Sequence, residues 1–200
     1  MTARLLIATH NEGKVLELVE LLADLDVELL RLQDVGIDWE VAETGATFEA
    51  NACHKAQAYA TAARLLTLAD DSGLEVDALN GQPGVHTSRY GGQGLNSEQR
   101  YRLLLEKLQE VPWQQRTARF RCVAALSDGE EILATAEGLV EGRIAMAPSG
   151  DGGFGYDPVF YVSEAGETMA RLSADKKNRI SHRARAIEAI KPTLARQLQP

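Results

Sequence analysis

The stretch Leu65-Leu66-Thr67-Leu68-Ala69-Asp70-Asp71-Ser72-Gly73 decides the fold. Its first five residues are an apolar run that reads as a buried strand, and it follows an alanine-rich segment, Phe48 to Arg64, that reads as a helix. A strand that ends in two adjacent carboxylates, a hydroxyl and a glycine departs from ordinary packing. Alternate side chains on a strand face opposite sides, so at least one of Asp70 and Asp71 faces inward. A buried carboxylate is costly unless a cation, a metal or several donors meet it. Ser72-Gly73 predicts a loop in which backbone approaches a ligand closely. The same residues also suit an Asx-type turn capping the strand, and taken alone they leave both readings open.

Upstream, Arg4 to Thr9 reads as a buried first strand followed by the polar turn His10-Asn11-Glu12-Gly13-Lys14. Val15, Leu18, Val19 and Leu22 then recur at helical spacing, with Asn11 as the cap. Glu28 to Leu32 resembles a second strand, and Thr47 caps the alanine-rich helix. Downstream, Gly81 to Gly94 reads as a loop, and Asn96 opens a helix through Leu108 that stops before Pro112. Ala118–Ser127 and Glu131–Glu137 read as strands joined through Asp128-Gly129, a hairpin signal, with Gly138–Ile144 continuing the sheet. A glycine-rich loop, Gly150 to Gly155, precedes a short strand at Pro158–Val162. A last helix begins near Ser181, and Pro192 is predicted to kink or break it. Interleaved strands and helices with a later hairpin predict an α/β fold with a mixed central sheet flanked by helices, and a length of 200 residues suits one domain, 1–200, in two lobes. The site is expected at the C-terminal ends of the parallel strands.

The net charge of −8 argues against a general nucleic-acid binder, though not against a small anion held at a local cationic site. One such cluster is Lys176, Lys177, Arg179, His182, Arg183 and Arg185. No apolar run is long enough for a bilayer, and the first ten residues lack a signal-peptide pattern, so a cytoplasmic location and no membrane partner are expected. Cys53 and Cys122 are the only cysteines and form no CxxC pair, which predicts reduced thiols. Cys53-His54 lacks a second pair at zinc-ligand spacing.

Several segments carry chemistry. Thr9 to Lys14 joins a strand to a helix, where free backbone donors, the helix dipole and the Lys14 charge suit a phosphate; the P-loop spacing is absent, and a plain helix cap fits equally. Glu43 is a metal ligand or a loop carboxylate. Asn51 and Lys55, four apart on one helix face, contact phosphate or solvent. In Gly152-Gly153-Phe154-Gly155-Tyr156-Asp157-Pro158, an aromatic in a glycine-rich loop presents a face to a planar base, or anchors a tight turn in the core. No nucleophile elbow is present, which leaves covalent catalysis without support.

Read together, these segments resemble the inosine triphosphate pyrophosphatase family. The matching pieces are Thr9-x-Asn11-x-x-Lys14, Glu43-Thr44-Gly45-x-Thr47-Phe48, Asn51 with Lys55, and Ala69-Asp70-Asp71-Ser72-Gly73-Leu74. Val76-Asp77-Ala78-Leu79, Pro83-Gly84-Val85 with Ser88-Arg89-Tyr90, Gly153-Phe154-Gly155-Tyr156-Asp157-Pro158 and Ser181-His182-Arg183 follow in the expected order, nearly spanning the chain. The resemblance implies a two-lobed fold with a cleft, of the kind shared with Maf-like pyrophosphatases. It also implies Mg²⁺-dependent hydrolysis of deaminated purine nucleoside triphosphates (dITP, ITP, XTP) to monophosphate and pyrophosphate, and a homodimer. By position, it implies Asp71 as general base and metal ligand, Glu43 as the second metal-linked carboxylate and Asp70 in support of the metal. Thr9, His10, Asn11, Glu12, Gly13, Lys14, Asn51, Lys55 and Ser72 would hold the triphosphate. Phe154, Gly155, Tyr156, Asp157, Lys177, His182 and Arg183 would surround the nucleoside.

The chain departs from the family pattern at Ala50, where Glu is common, at His86-Thr87-Ser88-Arg89, where Tyr-Ser-Ala-Arg is frequent, and at His10, which replaces a smaller residue. Two rival readings are a Maf-like pyrophosphatase for other modified nucleotides and a non-enzymatic nucleotide or RNA module that uses the 176–185 basic cluster.

Overall fold

In the computed structural model, which describes residues 3–199, the opening strand-helix-strand unit forms as its apolar periodicity predicts. Strand β1 (Ala3–Ile7) leads into helix α1 (Glu12–Leu21) and strand β2 (Val27–Arg31), which pairs in parallel with β1. The reading of the first ten residues and the domain span to residue 200 both include Met1, Thr2 or Pro200, which lie outside the described residues. Helix α2 (Phe48–Ala63) follows, capped by Thr47, whose hydroxyl accepts from the Ala50 amide at 3.1 Å. Strand β3 (Thr67–Val76) then pairs in parallel with β1, Leu6 opposite Thr67 and Ile7 opposite Leu68.

Helix α3 (Ser97–Lys107) is capped by Asn96 in a reciprocal box with Gln99. Strands β4 (Thr117–Ser127) and β5 (Ile132–Ile144) form the expected hairpin, with β5 unbroken through Gly138. Two short strands, β6 (Phe160–Val162) and β7 (Glu167–Thr168), add antiparallel pairs beyond β5. Helices α4 (Ala174–Ile180) and α5 (His182–Gln197) close the chain. The sheet is mixed, with seven strands among the described residues in the order β2-β1-β3-β4-β5-β6-β7. No described helix is long and apolar enough to cross a membrane.

The chain divides into two compact units. The first comprises Met1–Asp71, Cys122–Gly138 and His182–Pro200; the second comprises Ser72–Arg121 and Leu139–Ser181. Strands β3, β4 and β5 each contribute residues to both. The first unit has its own core, in which Leu5, Ile7 and Leu68 pack with Leu18 and Leu21 of α1 and Ala184, Ile187 and Ile190 of α5. In the second, Leu74, Val76, Leu104, Phe120, Val140 and Phe160 form a separate core.

Three expectations are corrected. The strand does not end at Asp70 and Asp71: β3 runs on through Ser72 and Gly73 to Val76. Both carboxylates stay in the strand because each side of it supplies its own cations, so no loop is needed to return them to water. The basic residues 176–185 do not form one continuous cluster on a single helix; they span α4 and α5 with Ser181 between them, and Lys177, His182 and Arg183 are buried. Pro192 does not break α5, which continues to Gln197. The buried positions Ile187 and Ile190 before it and Leu194 after it hold one apolar stripe against the core across the missing hydrogen bond.

Candidate active site

The parallel ladder between β1 and β3 closes with the Ala8 amide donating to the Leu68 carbonyl at 2.9 Å, and the chain then turns into α1. Thr9 Oγ1 accepts from the Asn11 amide and Asn11 Oδ1 accepts from the Lys14 amide, both at 3.2 Å. Asn11 thus caps α1 as its sequence predicts, Glu12 lies exposed in the first turn, and Gly13 is half-buried beside it. The Lys14 ammonium folds inward to Asp70 Oδ2 at 2.9 Å. His10, exposed, sends Nε2 to the Trp39 carbonyl at 3.0 Å.

Asp70 is almost wholly buried on the side of β3 that also carries Leu68, under α1 and α5. Besides Lys14, its Oδ2 accepts from Arg183 Nη2 at 3.1 Å and from Nε at 3.4 Å, and the Cys122 thiol lies 3.7 Å away. Arg183 also pairs with Glu17 on α1. Burial pushes the Asp70 carboxyl up, but Lys14, Arg183 and Lys55 together outweigh it and hold the group far below the usual carboxylate range. It is a permanent anion that anchors two cations. Its Oδ1 has no hydrogen-bond partner among the described residues.

Asp71, the next residue, faces α2. Asn51 Nδ2 donates to its Oδ2 at 3.0 Å, and Lys55 Nζ donates to its Oδ1 at 3.3 Å and to Glu43 Oε1 at 2.8 Å. The Gly45 amide donates to Asn51 Oδ1 at 2.7 Å, which fastens the segment carrying Glu43 onto α2. Any side chain at position 45 would bring its Cβ to 2.6 Å from that oxygen, so glycine is the residue that fits. Burial raises Asp71 above the usual carboxylate range; Lys55 and Lys14 oppose the rise and Glu43 adds to it. For Lys55, burial lowers the ammonium, but Asp71, Asp70 and Glu43 more than compensate and keep it charged.

The glycine-rich loop belongs to the second unit. Asp157 is buried, and its Oδ2 accepts from the Phe154 amide at 2.9 Å and from Lys177 Nζ at 2.5 Å. Lys177 Nζ also lies 5.0 Å from the centre of the Phe154 ring. Gly153 has φ +69° and leaves no room for a Cβ beside the Asp157 carboxylate, so both its conformation and its size are required. Gly155 and half-buried Phe154 complete the loop, and the buried Tyr156 donates its hydroxyl to the Thr87 carbonyl at 3.2 Å. Thr87, one of the departures from the family pattern, accepts from the Leu74 amide and donates to the Gly84 carbonyl. Ser72 is half-exposed and follows Asp71 directly in β3.

The structure therefore gathers Thr9–Lys14, Glu43, Asn51, Lys55, Asp70, Asp71 and Arg183 in one unit and Phe154–Asp157 with Lys177 in the other. Arg183, expected beside a nucleoside, is engaged by Asp70 and Glu17, and buried His182 precedes it in α5. Sequence reasoning missed Glu17, although it stands three residues beyond Lys14 on the same helix. It also missed Tyr59, which continues the Asn51–Lys55 stripe at the next helical repeat. Among the described residues no group of three or more His, Cys, Asp or Glu side chains is gathered to hold a metal. What the site offers a cation is the Glu43–Asp71 pair, two hard oxygen donors already converging on one positive charge, and that donor chemistry fits a divalent ion such as Mg²⁺.

Residues 5–193 match the Ham1 family. A dITP/XTP pyrophosphatase of Bacillus subtilis (strain 168) is 46% identical over 189 residues, covering 94% of this chain and 96% of the relative. A dITP/XTP pyrophosphatase of Geobacter sulfurreducens is 47% identical over 194 residues, covering 97% and 98%. The solved structure of a HAM1 protein from Coxiella burnetii superposes with a TM-score of 0.87 at 39% identity, covering 97% of this chain and 99% of that one.

Proposed function

The chain belongs to the Ham1 family, and from that premise we propose that it hydrolyses non-standard purine nucleoside triphosphates (dITP, ITP and XTP) to the monophosphate and pyrophosphate. The observation that carries the reading is the pairing of Glu43 and Asp71 across the Lys55 ammonium, beside a helix N-terminus that carries Lys14. A triphosphate brings about four negative charges, which this acidic pair alone would repel. Glu43 and Asp71 would hold Mg²⁺, which when bound offsets phosphate charge and polarises the α-phosphate. Lys14, Lys55 and the backbone donors at the start of α1, with Thr9, Asn11 and Asn51, grip the phosphate oxygens. Asp71, raised above the usual carboxylate range by burial, takes the proton of the attacking water, and pyrophosphate leaves. Asp70 acts behind it, fixing Lys14 and Arg183.

In the second unit, Phe154 supplies an aromatic face for the purine, and Asp157 with Lys177 a polar edge. A donor such as the Lys177 ammonium pairs with a 6-carbonyl but meets another donor in the 6-amino group of adenine. Leaving such a buried group unpaired costs about 1–3 kcal/mol, which selects against ATP by roughly 5-fold to 150-fold. The enzyme works as one catalytic domain, as a homodimer and in the cytoplasm, where it clears the nucleotide pool; light scattering across concentrations checks the dimer.

Incubating ITP, XTP, GTP and ATP with Mg²⁺ and separating pyrophosphate from orthophosphate tests the reading. Pyrophosphate from ITP and XTP, with ATP much slower, is expected. Orthophosphate with a diphosphate product would refute it.

A further inference from the structure

Helix α2 holds the irregular segment 39–45 through one stripe of side chains spaced four residues apart. Asn51 accepts from the Gly45 amide at 2.7 Å and Lys55 donates to Glu43 at 2.8 Å. At the next repeat, the Tyr59 hydroxyl accepts from the Val41 amide at 3.2 Å and donates to the Trp39 carbonyl at 3.3 Å. Successive rungs therefore grip alternate residues of the segment: 45, 43, 41 and 39. The Tyr59 ring lies stacked on Trp39 with centroids 5.0 Å apart, and His10, from the turn before α1, reaches the same Trp39 carbonyl.

We propose that Tyr59 is a positioning residue that sets the reach of Glu43 toward Asp71, tying the strap that carries Glu43 to the helix that carries Asn51 and Lys55. The inference rests on the proposed role of Glu43 as a metal-linked carboxylate. Asn51 and Lys55 touch site groups directly, whereas the Tyr59 hydroxyl bonds only to backbone, two and four residues before Glu43. A strap fixed at Gly45 alone would let Glu43 swing about that single point; the Val41 rung supplies the second. The residue acts through geometry, so its loss weakens capture of the cation rather than the chemical step.

Tyr59→Phe removes the hydroxyl and keeps the ring stacked on Trp39. Two readouts decide: the amide exchange rate at Val41 in the metal-free protein, and the Mg²⁺ concentration giving half-maximal pyrophosphate release from ITP. The expected result is faster exchange at Val41 and a Mg²⁺ half-point raised about 3-fold to 10-fold, the scale of one lost hydrogen bond, with kcat at saturating Mg²⁺ within about 2-fold of the parent. Unchanged exchange at Val41, or an unmoved Mg²⁺ half-point, overturns the proposal. If the parent protein releases no pyrophosphate from any triphosphate, the functional reading fails instead, and exchange at Val41 still decides whether the tie exists.

Discussion

At Asp70 the carboxylate meets Lys14 at 2.9 Å and Arg183 at 3.1 Å, whereas Asp71, one residue on, meets Asn51 and Lys55 from the opposite side of the strand. The first is pulled down and stays ionised; the second is pushed up by burial and can exchange a proton. Two different mutant behaviours result. Asp71→Asn keeps the shape and the Lys55 contact but removes the proposed base, so kcat should fall about 100-fold to 10,000-fold with the denaturation midpoint little changed. Asp70→Asn leaves Lys14 and Arg183 facing a neutral amide in the interior and should cost about 3–5 kcal/mol in urea unfolding at pH 7. Because Asp70 is depressed in the folded state, its contribution is fully present above the unfolded carboxylate value near pH 4 and is lost as pH falls toward the folded one. The gap between parent and Asp70→Asn should therefore narrow below about pH 4, measured by melts at pH 7 and pH 3. The sequence marks both residues as costly to bury, but not which cation each would receive. Those cations come from α1, α2 and α5, brought to the strand only by the fold.

Elements with a local cause were legible in the sequence, and elements governed by tertiary contacts were not. The Asn11, Thr47 and Asn96 caps, the β4–β5 hairpin and the first two strands all follow from spacing and turn chemistry within a few residues. The continuation of β3 through Asp70-Asp71-Ser72-Gly73 does not, because helices distant in sequence neutralise its charges. Pro192 shows the same override: a local breaker is outvoted by Ile187, Ile190 and Leu194. The broken ladder still costs stability, so Pro192→Ala should raise it by about 1–3 kcal/mol, seen as a higher thermal midpoint, without altering turnover. In the candidate site, the spacing of Asn51 and Lys55 put both on one helix face, and the fold brings that face to Asp71. Glu17, Trp39 and Tyr59 were not legible, since each acts on backbone or on a partner remote in sequence.

At the scale of the whole molecule, each unit has its own apolar core and its own set of polar residues. One carries the carboxylates, lysines and helix N-terminus suited to a triphosphate; the other carries the aromatic loop suited to a purine. The overall α/β architecture was readable from the interleaving of elements, and the family from an ordered set of motifs, each of them weak alone. The division into units was not readable from local pattern, because three strands supply residues to both. In the proposed reaction, water attacks the α-phosphate and pyrophosphate leaves. Hydrolysis of ITP with Mg²⁺ in ¹⁸O-labelled water, followed by mass spectrometry of the products, tests it most directly. One labelled oxygen in the inosine monophosphate and none in the pyrophosphate is expected. Label in pyrophosphate, or in orthophosphate released beside inosine diphosphate, would contradict it.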